Sequence, residues 1–284
     1  RSSRCVKIRH TRYFRSVVKV KLLTLNCHSW QEENQLDKIK YLAKVISEKN
    51  YDVIALQEVS QSIDCKIIDG ILKEDNFIVL LKEELNKFTK SNYEFYWDFS
   101  HIGYDIYEEG LAIMTRRKFI NSESFFITKS KDRTYWKTRK IIKSSIEINN
   151  KEFDFYSCHL GWWKDDEEPF TYQADKLLDT VNSKKTAIFM GDFNNNAFVR
   201  SEGYDYLINK NLNDLYLKAD KLEDECSATV KGKIDGWDEN KEKLRLDLIL
   251  SNELLKVKNA RVIFNGVNKE IISDHYGVEL EIDF

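Results

Sequence analysis

Short apolar strands far outnumber amphipathic helices in this chain, and this ratio limits the folds that it can adopt. Apolar, β-branched runs such as VVKVKLLTLN, DVIALQEV, GLAIMTR, EFDFYSCHL and TAIFMGDFN recur from Val17 onward and predict buried strands. Helical spacing is clear after Ser29 and Glu32, which predict a capping box, and over residues 168–182. Many strands with few helices predict an α/β (α+β) fold. We expect a four-layer α-β-β-α sandwich of two mostly antiparallel sheets covered by helices.

The sequence offers no internal domain boundary. It has 284 residues, a single proline (Pro169), no Gly/Ser-rich linker and no repeat, which predicts one catalytic domain over residues 18–284. Residues 1–21 carry eight basic residues and no acidic one. We expect residues 1–17 to be a basic extension, disordered or non-native, with a nucleic-acid-binding arm as the alternative.

The rest of the chain is acidic, with 37 basic against 47 acidic residues, which predicts a poor general binder of nucleic acid. No apolar run of about 18 residues predicts a membrane span, and no secretory signal is recognisable. Five scattered cysteines without a CxxC pair disfavour a disulfide framework and predict a cytoplasmic protein.

Polar side chains that bind metals or move protons end one apolar strand after another. They are Asn26, Glu58, His159, Asp192, Asn194, Asp247, Asp274 and His275. Each one alone has a structural explanation as a turn former, a helix cap or a histidine whose ring is hydrogen-bonded within the fold. Their recurrence at strand ends predicts that one rim of the sandwich gathers them into a site.

Oxygen ligands dominate this set and favour a hard cation, Mg²⁺ or alternatively Mn²⁺, over zinc. Gly-rich phosphate loops, a GxSxG elbow and a Cys/His nucleophile arrangement are missing. Carboxylates, an asparagine and histidines beside a divalent ion match metal-assisted attack of water on a phosphate ester. The residues therefore predict a metal-dependent hydrolase.

Six motifs in order carry a family resemblance: LLTLN, ALQEV, YSCHLG, MGDFNN, RLDLILS and SDHYGV. Over about residues 18–284 the chain resembles the endonuclease/exonuclease/phosphatase superfamily, which has the sandwich fold expected above. The resemblance implies that Glu58 is the main metal ligand, supported by Asn26. It further implies that Asp192 orients or deprotonates the attacking water, and that Asn194 donates to the phosphate oxygens.

The resemblance also implies roles around the scissile phosphate. His275 would contact the phosphate, with Asp247 as its hydrogen-bonded partner. Asp274 would bind the metal directly or hold one of its ligands. His159 would assist at the phosphate or the leaving group. Glu109, with Glu108 as a competitor, falls where related deoxyribonucleases pair a carboxylate with that histidine. Arg139 is either a phosphate clamp or a solvated arginine at a strand edge.

The stretches LLTLNCHSWQEENQLDKI and CHLGWWKDDEEPF resemble a narrower group, the bacterial maltose 6′-phosphate phosphatases. This resemblance implies a small-molecule partner, a sugar phosphate, with no nucleic acid and no membrane. Trp30, Trp162 and Trp163 would then line the sugar side of the cleft, with core packing as the alternative. The runner-up is a phosphodiesterase, a nuclease or a sphingomyelinase, although no apolar hairpin predicts a lipid-facing enzyme. A non-catalytic binding module is disfavoured because every expected catalytic position is filled.

Overall fold

Two sheets packed face to face form the centre of the computed structural model, which describes residues 17–224 and 226–284. In this part of the chain, the first sheet contains β1 (Lys19–Asn26), β2 (Val53–Ser62), β5 (Glu94–Gly103), β6 (Tyr107–Thr115), β12 (Lys221–Leu222), β16 (Lys256–Ile263) and β17 (Gly277–Asp283). They lie in the order β12-β16-β17-β1-β2-β6-β5. The predicted basic extension falls outside the described residues, except for Val17.

The second sheet has six strands within the same described ranges. They are β7 (Lys118–Phe126), β8 (Lys140–Ile148), β9 (Lys151–His159), β10 (Ala187–Asp192), β11 (Asn213–Asp214) and β15 (Asp247–Ser251). Their order is β11-β15-β10-β9-β8-β7. Outside the two large sheets lie two short hairpins, β3 (Ile67–Asp69) with β4 (Leu72–Lys73) and β13 (Val230–Lys231) with β14 (Lys243–Leu244).

One parallel pair of strands in each large sheet gathers the polar strand ends. β1 runs parallel to β2, and β9 runs parallel to β10 with His159 opposite Asp192. Strand β15 runs antiparallel to β10 and begins with Asp247 opposite Asp192. Because parallel strands end at the same edge, their carboxyl-terminal residues meet there. Asn26 joins the two sheets at this edge by donating to Asp192 at 3.2 Å.

Helices cover the outer face of each sheet and complete the four layers. They are α1 (Gln35–Lys49), α2 (Phe77–Phe88), α3 (Phe170–Leu178) and α4 (Gly203–Asn209), with a short 3₁₀ helix at Tyr216–Lys218. One apolar core lies between α1, α2 and the first sheet, a second between the sheets, and a third between the second sheet and α3 and α4. The predicted α-β-β-α sandwich of mostly antiparallel sheets is confirmed.

The capping box predicted at Ser29 and Glu32 is wrong. Helix α1 begins at Gln35, and its N-cap residue is Asn34. The Ser29 hydroxyl instead binds the backbone of β2, accepting from the Ser60 amide at 2.8 Å. Sequence spacing cannot distinguish the two outcomes, because Ser29 serves a partner that is 31 residues away.

Candidate active site

A cleft of about 420 Å³ opens at the edge where the polar strand ends meet. Nine of the predicted residues line it: Glu58, Glu109, Arg139, His159, Trp162, Asp192, Asn194, Asp274 and His275. Asn26 and Asp247 lie behind this wall, where they hydrogen-bond to residues that line it. The structure thus brings together the strand-end residues that the sequence singled out.

Glu58 enters the cleft from an irregularity in β2. The pairing of β2 with β6 shifts register between Leu56 and Val59, and Glu58 has a left-handed backbone with φ of 50°. A β-bulge re-aims side chains, and a strained backbone persists only where its surroundings hold it. The Ser29 hydroxyl and amide both donate to the Glu58 carbonyl and fix this bend. The Asn26 amide donates to Glu58 Oε1 at 2.7 Å and orients the carboxylate.

The residues around Glu58 fit a divalent cation. Glu58, His159 and Asp192 each offer a ligand atom, and these atoms lie within 4.8 Å of one another. Burial, with repulsion from Glu109 and Asp274, raises the pKa of Glu58 to about 8. Carboxylates crowded together away from water are stabilised by a bound cation. The oxygen-rich donor set favours a hard ion such as Mg²⁺ or Mn²⁺.

Asp192 occupies the centre of the cleft floor. Burial raises the pKa of Asp192 to about 6, an effect that the nearby His275 opposes. Its Oδ1 accepts from the Asn194 amide at 2.8 Å, and the Nε2 atoms of His159 and His275 each lie 3.7 Å from its Oδ2. A carboxylate with a pKa near 6 can accept a proton close to neutral pH.

The two histidines beside Asp192 differ in charge. Burial lowers the pKa of His275, but the Asp247 and Asp192 carboxylates outweigh burial and hold it well above its ordinary value. The Nδ1 atom of His275 lies 2.9 Å from Asp247 Oδ2. Burial and the nearby Arg139 charge hold the pKa of His159 well below its ordinary value. Of the two histidines beside Asp192, His275 therefore favours its cationic form and His159 its neutral form.

Asn194 is held by contacts on both sides of its amide. Its Nδ2 donates to the Leu160 carbonyl at 2.9 Å, and its Oδ1 accepts from the Trp237 indole at 3.1 Å. The Asn194 backbone is left-handed, with φ of 49°. One amide hydrogen remains for a phosphate oxygen, because the NH₂ group has two.

Arg139 is buried in the cleft wall, which excludes the alternative of a solvated edge arginine. It is 4% exposed, and its Nη1 donates to the Trp136 carbonyl at 2.8 Å. Its Nε has no hydrogen-bond partner among the described residues. Burial lowers the pKa of Arg139, an effect that the Glu109 and Glu58 carboxylates oppose. A buried guanidinium with an unused donor suits an anionic ligand.

The expected pairing of Glu109 with His159 is wrong. Glu109 Oε1 lies 3.5 Å from His101 Nε2, and His101 Nδ1 is 3.1 Å from the Thr138 carbonyl. His101 stands near the end of β5 and lines the cleft, yet the sequence analysis did not identify it. The same strand-end signal that indicated His159 could have found it. Glu108, the competing residue, instead pairs with Lys73 at 3.0 Å.

His28 is a second residue that sequence reasoning missed. Burial lowers its pKa, but a hydrogen bond with Glu32 and the Asp274 and Glu58 charges outweigh burial and raise the pKa to about 9. His28 Nδ1 lies 2.8 Å from Glu32 Oε1 and 3.7 Å from Asp274 Oδ1. No sequence signal marked His28, since it follows the strand end at Asn26 in a loop.

The three predicted tryptophans have different positions. Trp162 lines the cleft beside Arg139, whose guanidinium lies 5.9 Å from the indole centre. Trp163 packs against Phe170 and Tyr206 in the core below α3 and α4, so of the two neighbouring candidates only Trp162 lines the cleft. Trp30 does not line the cleft. Its indole is directed to β2, where it donates to the Ser60 carbonyl at 3.1 Å. The chain turns directly after Trp162, where the Asp165 amide donates to the Trp162 carbonyl at 3.3 Å, and this turn separates the two indoles.

Comparisons with known proteins agree with this geometry. Residues 23–275 match the Endonuclease/Exonuclease/phosphatase family. A solved family protein from Leptotrichia buccalis C-1013-b is 41% identical, with a TM-score of 0.88, over 93% of this chain and 100% of that one. No match was found among curated proteins.

Two more distant structures share the fold. The mannosyl-6-phosphatase Bt3783 of Bacteroides thetaiotaomicron is 16% identical, with a TM-score of 0.67, over 93% of this chain and 100% of that one. D. rerio TDP2, solved with a single-strand DNA product, is 18% identical, with a TM-score of 0.66, over 94% of this chain and 99% of that one.

Proposed function

Since the chain belongs to the endonuclease/exonuclease/phosphatase family of metal-dependent phosphoester hydrolases, we propose that it is a phosphatase of a sugar phosphate, foremost maltose 6′-phosphate. The products are the free sugar and inorganic phosphate. One observation carries this proposal: the buried catalytic residues open onto the Trp162 indole, which lies beside Arg139. A flat indole face suits a sugar ring, and the arginine suits the phosphate attached to it.

Glu58 is the principal metal ligand in this proposal, with Asn26 orienting it and Asp274 nearby. His159 and Asp192 lie beside Glu58, so a cation on Glu58 would be next to the residues that act on the phosphate. We propose Mg²⁺, with Mn²⁺ as a substitute, because the donors are mostly oxygens. When bound, the cation supplies Lewis-acid stabilisation of charge on the phosphoryl group.

Asp192 provides the base for hydrolysis. A water molecule beside Asp192 Oδ2 attacks phosphorus, its proton passes to the carboxylate, and the bond from phosphorus to the sugar oxygen breaks. The sugar oxygen leaves with a proton from solvent, so the products balance as an alcohol and inorganic phosphate. Asn26 and the Asn194 amide hold the carboxylate for this step.

Three side chains stabilise the negative charge that builds up on the phosphoryl oxygens. His275 acts as a cation that Asp247 holds in place, and His159 acts as a neutral hydrogen-bond donor. Arg139 contributes a fixed positive charge from the wall. Donors that are fixed before the reaction stabilise a transition state without reorganisation.

Release of inorganic phosphate from a panel of sugar phosphates, with Mg²⁺ or Mn²⁺, tests the proposal. Maltose 6′-phosphate should be hydrolysed, plasmid DNA should stay intact, and Asp192→Ala should lower turnover by at least about 100-fold. Near-wild-type turnover by Asp192→Ala, with folding unchanged by circular dichroism, would remove Asp192 from the mechanism. Within residues 17–224 and 226–284, the cysteines Cys27, Cys65, Cys158 and Cys226 are all free, which supports a cytoplasmic site of action.

A lipid phosphodiesterase is the second candidate, and an exposed hairpin favours it. The sequence analysis found no apolar hairpin, and this was wrong: Ile67, Ile68 and Ile71 in the β3–β4 hairpin are 59%, 48% and 50% exposed. Exposed apolar residues on a projecting element suit a lipid surface. Sphingomyelin vesicles provide the assay. Cleavage of sphingomyelin that Ile67→Ser and Ile68→Ser abolish, without sugar-phosphate hydrolysis, would replace the first candidate.

A further inference from the structure

The walls of the active-site cleft become more exposed from its floor to its mouth. At the floor, His159, Asp192 and His275 are each at most 6% exposed, whereas Trp136 and Tyr104 at the mouth are 51% and 52% exposed. Trp162 lies between these levels. A phosphate on the floor therefore leaves the far part of the substrate beside residues that no catalytic step uses.

Trp136 is the most prominent of these outer residues. Its indole centre lies 5.9 Å from that of Trp162, and the two planes are inclined by 58°. Half-exposed tryptophan at a cleft mouth suits a ligand with a flat apolar face, because water solvates an indole poorly. The second indole extends the wall that Trp162 begins.

The segment that carries Trp136 is rigidly attached to the segment that carries Trp162. Lys137 lies 2.8 Å from Asp165 and 2.5 Å from Glu167, and the Tyr135 hydroxyl donates to Glu167 at 2.9 Å. The Trp136 carbonyl also accepts from buried Arg139. Both indoles are thus placed before a ligand binds, which reduces the entropy lost on binding.

A loop over residues 232–242, between β13 and β14, packs against the Trp162 indole. Val230, Ile234, Leu244 and Leu246 form a small apolar core at its base. At the tip, Gly236 has φ of 76°, and a Cβ there would lie 2.4 Å from the Trp162 ring. Only glycine combines this backbone with such close contact. The loop is therefore fitted against the indole wall.

Two carboxylates of this loop face the cleft. Asp235 accepts a hydrogen bond from the Tyr104 hydroxyl, which ties the loop to the turn between β5 and β6. Asp238 lines the cleft but forms no ion pair or side-chain hydrogen bond with any other described residue. The Trp162 indole N–H likewise lacks a partner within the described ranges. The Asp238 carboxylate and the two indoles line the same cleft, and this combination suits a neutral, hydroxyl-rich ring.

From this arrangement we infer an outer subsite, formed by Trp136, Tyr104 and Asp238, that binds the ring farthest from the phosphate. This inference rests on the proposed phosphatase function and specifies its substrate class as a disaccharide phosphate. The Asp238 carboxylate accepts hydrogen bonds from the distal ring hydroxyls, and Trp136 covers the apolar face of that ring. The same acidic mouth repels a polyanionic leaving group such as a nucleic-acid strand.

The test is the ratio of kcat/KM for maltose 6′-phosphate to kcat/KM for glucose 6-phosphate, with Mg²⁺ present. The wild type should favour the disaccharide. Trp136→Ala and Asp238→Asn should each lower the ratio about tenfold, because the first removes a contact made only by the distal ring and the second replaces a charged acceptor of its hydroxyls with a neutral one. Glu239→Gln is the matched control: this exposed neighbour does not line the cleft and should leave the ratio unchanged.

The outcomes separate this inference from the proposed function. Equal kcat/KM for both sugar phosphates in the wild type, or an unchanged ratio in Trp136→Ala and Asp238→Asn, overturns the outer subsite while the phosphatase stands. Hydrolysis of neither sugar phosphate, together with cleavage of a phosphodiester, overturns the proposed function itself. Thermal unfolding of both variants shows whether they remain folded.

Discussion

Replacing Asp247 with asparagine should separate the support of a catalytic histidine from ordinary structural stabilisation. Asp247 is fully buried, and its carboxylate lies 2.9 Å from His275 Nδ1. Asparagine keeps the shape and one acceptor oxygen but removes the negative charge. Without that charge, burial lowers the pKa of His275 against the Asp192 and Asp274 carboxylates alone, so the imidazole holds its proton less tightly.

The expected magnitudes follow from this burial. Breaking a buried ion pair costs about 3–5 kcal/mol, and we expect the lower end because His275 can lose its proton. At about 2 °C per kcal/mol, the melting temperature should fall by roughly 6 °C. Loss of one fixed charge at the phosphoryl oxygens should lower kcat by about 100- to 1,000-fold.

The pH dependence has a defined sign. Because the folded pKa of His275 is raised, its contribution to stability is fully present below the unfolded pKa of about 6.5. That contribution is lost as pH rises through the raised folded pKa. The stability difference between wild type and Asp247→Asn should therefore be largest near pH 6 and should shrink in alkaline solution.

Asp214→Asn provides the matched control. Asp214 forms a buried bidentate pair with Arg245 at 2.7 and 2.9 Å, in β11 beside β15, outside the cleft lining. It should lower the melting temperature by at least as much as Asp247→Asn, with kcat within about twofold of wild type. Urea unfolding and phosphate release measure the two effects. If Asp247→Asn retained wild-type kcat, or if Asp214→Asn lost as much, the assigned role of Asp247 would be refuted.

Three further predictions concern metal binding and the cleft walls. Calorimetry of the wild type should show that Mg²⁺ affinity weakens about tenfold per pH unit below pH 8, because Glu58, with a pKa of about 8, must lose its proton before it binds the ion. The Glu58→Gln variant should bind Mg²⁺ weakly and with no such dependence on pH. A wild-type Mg²⁺ affinity that does not change with pH would contradict the assignment of Glu58 as the ligand. Trp163→Ala should lower the free energy of unfolding by about 2–4 kcal/mol and leave KM nearly unchanged. Trp162→Ala should instead raise KM for the sugar phosphate several-fold. The reverse pattern would exchange the roles of the two tryptophans. Trp237→Phe should lower kcat about fivefold by releasing Asn194 Oδ1, and a change in KM alone would argue against that support.

Much of the catalytic floor was predictable because its residues follow a local rule. Asn26, His159 and Asp192 each end a buried apolar strand, and such strands are recognisable from periodicity alone. The number of strands relative to helices likewise predicted the layered sandwich. A strand end is a local property, so it can be located in the sequence without knowing which strands pair.

The cleft walls were not predictable, because tertiary contacts decide them. Trp162 and Trp163 are identical neighbours, yet only the packing of α3 and α4 draws Trp163 into the core. The sequence alone does not show whether Glu109 pairs with His159 or with His101. The register of β5 against β6 places His101 opposite Glu109.

The sequence by itself determined the layered fold and the polar strand ends that meet in the cleft, because strand periodicity and polar termination lie within a few consecutive residues. Tertiary structure alone decided which aromatic and acidic side chains face the substrate. Trp136 and Asp238 line the same cleft from segments about 100 residues apart in the sequence. Their loops carry no periodic pattern, and only the packing of each loop against distant strands fixes the direction of its side chains.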